Sequence, residues 1–146
     1  MFKHILIATD GSPVSNKAAR AGIALARALG SKVTAYSALE ELQLFYAEGY
    51  IPTQREIDGF LKSARQVGQK RVDSIGKMAK AAGVPFAAVV TKAYSPYEGI
   101  IDAAKKRKCD VIFMASHGRR GLSKLIMGSV TQKVLTHTRI PVVVYR

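Results

Sequence analysis

Cysteine is nearly absent from this 146-residue chain. The one present, Cys109, excludes an internal disulfide and gives no metal cluster. No apolar run approaches the ~18 residues that a membrane-spanning helix requires. The segment Met1 to Asp10 lacks the apolar core of a signal peptide and reads as a strand. No Gly-x4-Gly-Lys-Ser/Thr sequence is present, which excludes a P-loop ATPase. No nucleophile stands paired with a base, and His117 has no identifiable partner that would make it a general base. Acidic residues are scarce as well: 10 Asp+Glu stand against 23 Lys+Arg, a formal net charge of +13. These absences leave no membrane partner to expect, and the cytoplasm as the expected compartment.

What is present suits one globular domain over residues 1–146, with 48% apolar and 23% charged residues. The positive charge is uneven. Residues 101–146 hold ten Lys/Arg and two Asp/Glu. A field of that sign attracts phosphates, and a solvated basic surface explains it equally well. Nucleic acid is disfavoured as a partner, because the aromatics do not interleave with the basic residues along the chain.

Short apolar runs alternate with helical periods. Phe2 to Ala8 contains Ile5-Leu6-Ile7-Ala8, suited to a strand covered on both faces. Ser12-Pro13 predicts a helix start, and Gly30 its end after Leu29. Ala18, Gly22, Leu25 and Leu29 recur at helical spacing. Lys32 to Leu39 reads as the second strand. Glu40 to Thr53 reads as an irregular segment whose Leu42, Leu44, Phe45, Tyr46 and Tyr50 must cover something. From Thr53 to Ala82, the residues Ile57, Phe60, Leu61, Ala64, Val67, Ile75, Met78, Ala79 and Ala82 keep a helical period, and Gly83 ends it. Val84 to Thr91 is the third strand. Ser95-Pro96-Tyr97-Glu98 has the form of a capping box before a helix through Ile100, Ile101 and Ala104. The basic run Lys105 to Lys108 complements that helix's dipole. Cys109 reads as a packed residue, with no neighbouring His to activate it. Val111 to Ala115 is the fourth strand, Ser129 to Thr138 a helix with Val130, Val134 and Leu135 inward, and Pro141 to Tyr145 the last strand. The alternation predicts an α/β fold with a parallel sheet and helices on both faces. Ligands of such folds sit at the carboxyl ends of the strands.

The connection Ala115 to Ser129 has three glycines and three serines, and carries Arg119, Arg120 and Lys124. A glycine-punctuated passage from a buried strand into a helix lets backbone N–H groups and a helix N-terminus meet a phosphate. The bland alternatives stay open. Ser129 with Gln132 has the form of a capping box, Gly118 and Gly121 suit tight turns, and Asp10 suits a cap of the turn before the first helix.

Over its whole length the chain resembles the universal stress protein family. The likeness rests on Ile5-Leu6-Ile7-Ala8-Thr9-Asp10-Gly11-Ser12, on Ala115-Ser116-His117-Gly118 followed after nine residues by Gly128-Ser129, and on Ile140-Pro141-Val142-Val143-Val144. The second of these matches the family's nucleotide motif, Gly-x2-Gly-x9-Gly-Ser/Thr. The resemblance implies a Rossmann-like, adenine nucleotide alpha hydrolase-like fold: a five-stranded parallel sheet ordered 3-2-1-4-5. It implies a homodimer through strand 141–145, and ATP as ligand, with Mg2+ or Mn2+ as an accompanying ion and at most weak hydrolysis. Gly118, Gly128 and Ser129 would contact phosphate and ribose, in a set that also includes Ala115, His117, Val130 and Thr131. Ala8, Thr9 and Asp10 would lie against the adenosine, and Ala38 near the adenine. The sequence departs from the motif at Ala115, which stands where the first glycine belongs. A negative φ with room for a methyl group keeps the site; a ribose packed on that Cα weakens it. The alternative function is an interaction module that binds no nucleotide and acts through its dimer and basic surface.

Overall fold

A computed structural model describes residues 1–39, 49–119 and 126–146. Leu42, Leu44, Phe45 and Tyr46 lie outside the described residues, as do Arg120, Gly121 and Lys124. The chain runs β1 (His4–Ala8), α1 (Pro13–Leu29), β2 (Lys32–Ala38), α2 (Gln54–Ala82), β3 (Phe86–Thr91), α3 (Pro96–Lys106), β4 (Val111–Ala115), α4 (Ser129–His137) and β5 (Val142–Tyr145). The five strands form one parallel sheet in the expected order, β3-β2-β1-β4-β5. β4 matches its apolar run, and the other four strands are one or two residues shorter than theirs predict.

β1 and β4 are buried along their whole lengths, as central parallel strands must be. Their side chains alternate between two cores. Ile5, Ile7, Val111, Phe113 and Ala115 pack with α1 and α2. Leu6, Ala8, Ile112 and Met114 pack with α3 and α4. Small residues set the helix approach. A Cβ on Gly22 would sit 2.9 Å from Ile7 Cδ1, and one on Gly68 would sit 2.8 Å from Val90 Cγ1. Burying these apolar faces stabilises the fold by ~25 cal/mol for each Å² removed from water.

Helix ends follow the sequence in part. Ser12 accepts from the Ser15 N–H, Pro13 opens α1, and Gly30 and Gly83 close their helices at φ 65° and 68°. Thr53 and Glu56 form a reciprocal capping box that the Thr-x-x-Glu spacing carries and the reading above did not use. The two boxes expected elsewhere do not form. Ser95 donates its hydroxyl to the Glu98 carboxylate at 2.9 Å and caps no backbone N–H. Gly128, not Ser129, is the N-cap of α4, and the Gln132 amide donates to the Met127 carbonyl at 3.1 Å.

Three apolar residues expected inward are instead 40–46% exposed: Leu29, Val67 and Leu135. Val67 is displaced because α2 meets the sheet through Gly68, Val72, Ile75 and Ala79, one step away on the helical wheel. Leu135 yields to Val134, and Leu29 ends its helix beyond the last buried turn.

Candidate functional site

Two connections leave the carboxyl ends of neighbouring strands. Ile5, Leu6 and Ile7 of β1 pair with Val111, Ile112 and Phe113 of β4, so Asp10 and the Ala115–Gly118 stretch emerge side by side.

The β1–α1 turn is built from hydroxyls and backbone. The Thr9 N–H continues the sheet ladder to the Tyr36 carbonyl at 2.9 Å. Thr9 Oγ1 accepts from the Gly11 N–H at 3.1 Å and from the Ser15 hydroxyl at 2.7 Å. Asp10 Oδ1 accepts from the Ser12 N–H at 2.9 Å, and Oδ2 from the Arg119 N–H at 3.0 Å. Burial pushes the Asp10 carboxyl up, but the hydrogen bonds from Ser12 and Arg119 outweigh it and hold the group below the usual carboxylate range. An ionised carboxylate has about four acceptor sites, so Asp10 keeps capacity for a further donor.

The loop after β4 is tied down on three sides. The Ser116 N–H donates to the Tyr145 carbonyl at 2.8 Å, and the Gly128 N–H to the Ser116 carbonyl at 2.7 Å. The Thr131 hydroxyl donates to the Ala115 carbonyl at 2.9 Å. Two glycines make these approaches possible. A Cβ on Gly118 would fall onto Asp10 Oδ2, and one on Gly128 would sit 3.0 Å from the His117 Cα. Asp10, Gly118, His117 and Gly128 therefore form a continuous cradle that ends at the N-terminus of α4. No described side chain caps that N-terminus. The first-turn N–H groups and the positive end of the helix dipole face whatever occupies the cradle.

Ala115 belongs to the strand. It is 7% exposed, and its methyl group is part of the core under α1 and α2. Among the described residues, Lys108 alone of the non-glycines has a positive φ. The backbone at Ala115 thus needs no glycine, and its methyl group packs in the core.

Of the residues expected here, Thr9, Asp10, His117, Gly118 and Gly128 stand on the two adjoining connections and Ser129 begins α4; Ala8 and Ala115 end β1 and β4 with their side chains in the cores, and in the first turn of α4 Val130 packs on the core and Thr131 is buried. Ala38 stands apart at the end of β2, paired with Thr91 of β3. The sequence reading missed Ser15 and Arg71. Ser15 follows Ser12 at the spacing of a capped first turn, a signal that was available. Arg71 gave none. Its side chain reaches from α2 to the turn, so that a Cβ on Gly11, already at φ 77°, would sit 2.9 Å from its Nε. A serine–histidine contact also appears: Ser116 Oγ lies 3.0 Å from His117 Nδ1. Ser116 is 4% exposed, which withholds its hydroxyl from a substrate.

Comparison with known proteins places this arrangement. Residues 1–146 match the Universal stress protein family. A universal stress protein of Thermus aquaticus is 31% identical, and the match covers 100% of both chains. Universal stress protein MJ0531 of Methanocaldococcus jannaschii is 29% identical over 100% of this chain and 83% of its own. Among solved structures, UspA from Lactobacillus plantarum superposes with a TM-score of 0.80 at 17% identity, covering 99% of this chain and 98% of that one. A universal stress protein in complex with cAMP gives 0.71 at 20% identity, covering 99% and 97%. One from Archaeoglobus fulgidus in complex with dAMP gives 0.64 at 16% identity, covering 100% and 98%.

Proposed function

This chain belongs to the universal stress protein family, and from that premise we propose that it binds an adenine nucleotide, ATP foremost, in a stress-response role with little or no turnover. One observation carries the reading: the N-terminus of α4, which no described side chain caps, set beside Asp10 by the close approaches at Gly118 and Gly128. Phosphate oxygens accept from the backbone N–H groups around Gly118 and from the first turn of α4, Ser129 to Thr131. A ribose hydroxyl donates to Asp10. The adenine lies over Ala8 and Thr9 toward Ala38. Two proteins of this fold were solved with cAMP and with dAMP, which supports adenine nucleotide as the ligand class.

Among the described residues no cluster of His, Cys, Asp and Glu has the makings of a metal site. Mg2+ or Mn2+ would arrive on the phosphates, with Asp10 as the nearest carboxylate of the protein. The burial of Ser116 supports slow turnover. β5 is an edge strand of half-buried valines, and pairing with a second copy would cover it, so a homodimer through 141–145 is part of the proposal. No described helix is long and apolar enough to cross a membrane, and the cytoplasm remains the compartment proposed. Titration with a fluorescent ATP analogue, with and without Mg2+, tests the reading. Saturable binding is expected; none up to about a millimolar, where binding free energy falls to ~4 kcal/mol, overturns it.

The basic surface favours a second reading, an interaction module that needs no nucleotide. It expects Gly118→Val to leave stress survival of the cell intact. Loss of survival with the fold preserved counts against it.

A further inference from the structure

The second face of the sheet is only partly roofed. α3 lies over β2 and packs on α4, and no described helix covers the outer side of edge strand β3 on this face. A groove of about 750 Å³ runs there, along β3 and α3. Its volume is that of a small-ligand site. Lys92, Tyr94 and Tyr97 line one end, and Lys105, Lys106 and Arg107 the other. The two ends are separated by the length of α3, 11 residues and so ~16 Å.

The aromatic end is unusual for a surface that has no partner. The Tyr94 side chain is 87% exposed. Tyr97 is held by its neighbours: the ring of His137, which also lines the groove, lies 5.0 Å away, and the Lys133 ammonium 5.5 Å from the ring centroid. None of the four cations lining the groove forms an ion pair with a described residue. Two carboxylates share the groove, Glu98 and Asp102. Glu98 is engaged by the Ser95 hydroxyl at 2.9 Å and the Tyr97 hydroxyl at 3.4 Å.

We propose that this groove binds a single strand of nucleic acid, its bases stacked at Tyr94 and its phosphates on Lys105, Lys106 and Arg107. A flat exposed aromatic at one end of a groove and a row of cations at the other is a combination that single strands recognise. The exposed ring of Tyr94 favours this ligand over an acidic peptide, because every base offers a flat face to stack on it. Glu98 and Asp102 repel phosphates and peptide carboxylates alike, but accept hydrogen bonds from the amino groups of bases and from ribose hydroxyls. A duplex presents its phosphates and keeps its bases stacked inside, so it uses only half of the groove. Along the chain the tyrosines and the basic run stand apart, which is why the sequence disfavours nucleic acid. Folding sets them along one helix. The groove lies at the β3 edge, opposite the β5 edge, and shares none of Asp10, His117, Gly118 and Gly128 with the glycine cradle, so it does not depend on nucleotide binding there.

Fluorescence anisotropy with labelled eight-nucleotide strands, in RNA and DNA arms of the same sequence, tests the proposal against the matching duplex. Saturable binding of either strand, tighter than the duplex, is expected. Tyr94→Ala, at an exposed position that leaves the core untouched, weakens it about tenfold with an unchanged salt slope. The double variant K105Q/K106Q lowers the slope of log affinity against log salt by about 1.4, two phosphates' worth. Excess ATP displaces nothing, and Gly118→Val binds the strand as the parent does. The proposal is overturned by equal affinity for duplex and strand, by a Tyr94→Ala variant that binds as the parent does, or by displacement with ATP.

Discussion

The two ends of the sheet handle buried polar groups in opposite ways. At the amino ends of the strands every group named here has a protein partner. The Asp110 carboxylate accepts from the Lys3 N–H at 2.8 Å and from the His4 N–H at 3.2 Å, and the Asp110 N–H donates to the His4 carbonyl at 3.0 Å. His4 Nε2 lies 2.8 Å from the Thr34 hydroxyl, which also meets the Cys109 thiol. The Ser31 hydroxyl donates to the Phe2 carbonyl. At the carboxyl ends the account stays open. Among the described residues, the first turn of α4 has no side-chain cap, and Ser37 Oγ is buried with no hydrogen-bond partner. A buried polar group left unpaired costs about 1–3 kcal/mol. A fold that closes one end and leaves the other open tolerates that cost where a ligand can offset it.

Gly118→Val gives the largest separation between the ends. Its side chain falls onto Asp10 Oδ2 and displaces the loop from its latch. Nucleotide affinity should drop by ~100-fold or more, since two elements of the cradle move apart together. The Asp10–Arg119 hydrogen bond and local overpacking together cost about 1–3 kcal/mol. Calorimetric titration beside a thermal melt reads both. Binding at parental affinity would show that the open end is not the nucleotide site.

Asp110→Ala is the opposite lesion. It removes the acceptor for the Lys3 and His4 N–H groups and should destabilise the fold by about 1–3 kcal/mol. Nucleotide affinity should stay within twofold. A variant that melts like the parent would mean that water replaces the carboxylate, and that this end is less closed than its hydrogen bonds indicate.

The division between the ends also explains how much the sequence discloses. The central strands and the helix limits at Ser12, Gly30 and Gly83 follow from local signals: apolar runs, caps and left-handed glycines; the sheet order came only through the family resemblance. The glycine loop was legible through its spacing. What stayed hidden are choices that side chains make among partners distant in sequence. Ser95 satisfies the Glu98 carboxylate instead of a backbone N–H. Arg71 arrives at Gly11 from 60 residues away. His4 and Cys109 share one hydroxyl although nothing in their spacing relates them. The result there is no activated thiol, because burial pushes Cys109 up to about 11.

Acid should open the two ends in sequence. Burial, followed by the Lys32 charge, holds the His4 imidazole below its ordinary range, against the pull of Asp110. The unfolded chain therefore binds that proton more readily, and stability should fall as pH drops through 6.5 and then level off. Asp10, held below the usual carboxylate range, contributes stability that is intact above its ordinary value of 3.8 and lost as pH falls below it. Denaturant midpoints measured from pH 8 to 3 should show two descents. His4→Gln should remove the first and Asp10→Asn the second. A single descent that neither variant alters would place the acid sensitivity elsewhere.

Ala115→Gly should have the smallest effect on binding, and it separates ancestry from physics. The substitution restores the glycine of the family motif, so a motif argument expects tighter nucleotide binding. The structure gives the opposite expectation. The Ala115 methyl faces the core under α1 and α2, not the cradle, and the backbone there has no need of a positive φ. Removing the methyl loses about 0.8 kcal/mol of burial. Glycine within a strand adds about 0.5–1 kcal/mol of conformational entropy cost. The variant should therefore melt at a lower temperature, with a stability loss of ~1–2 kcal/mol, and bind nucleotide within twofold of the parent. A fivefold gain in affinity would show that the ribose packs on this Cα, and that the cradle reaches one residue deeper into β4 than its hydrogen bonds define.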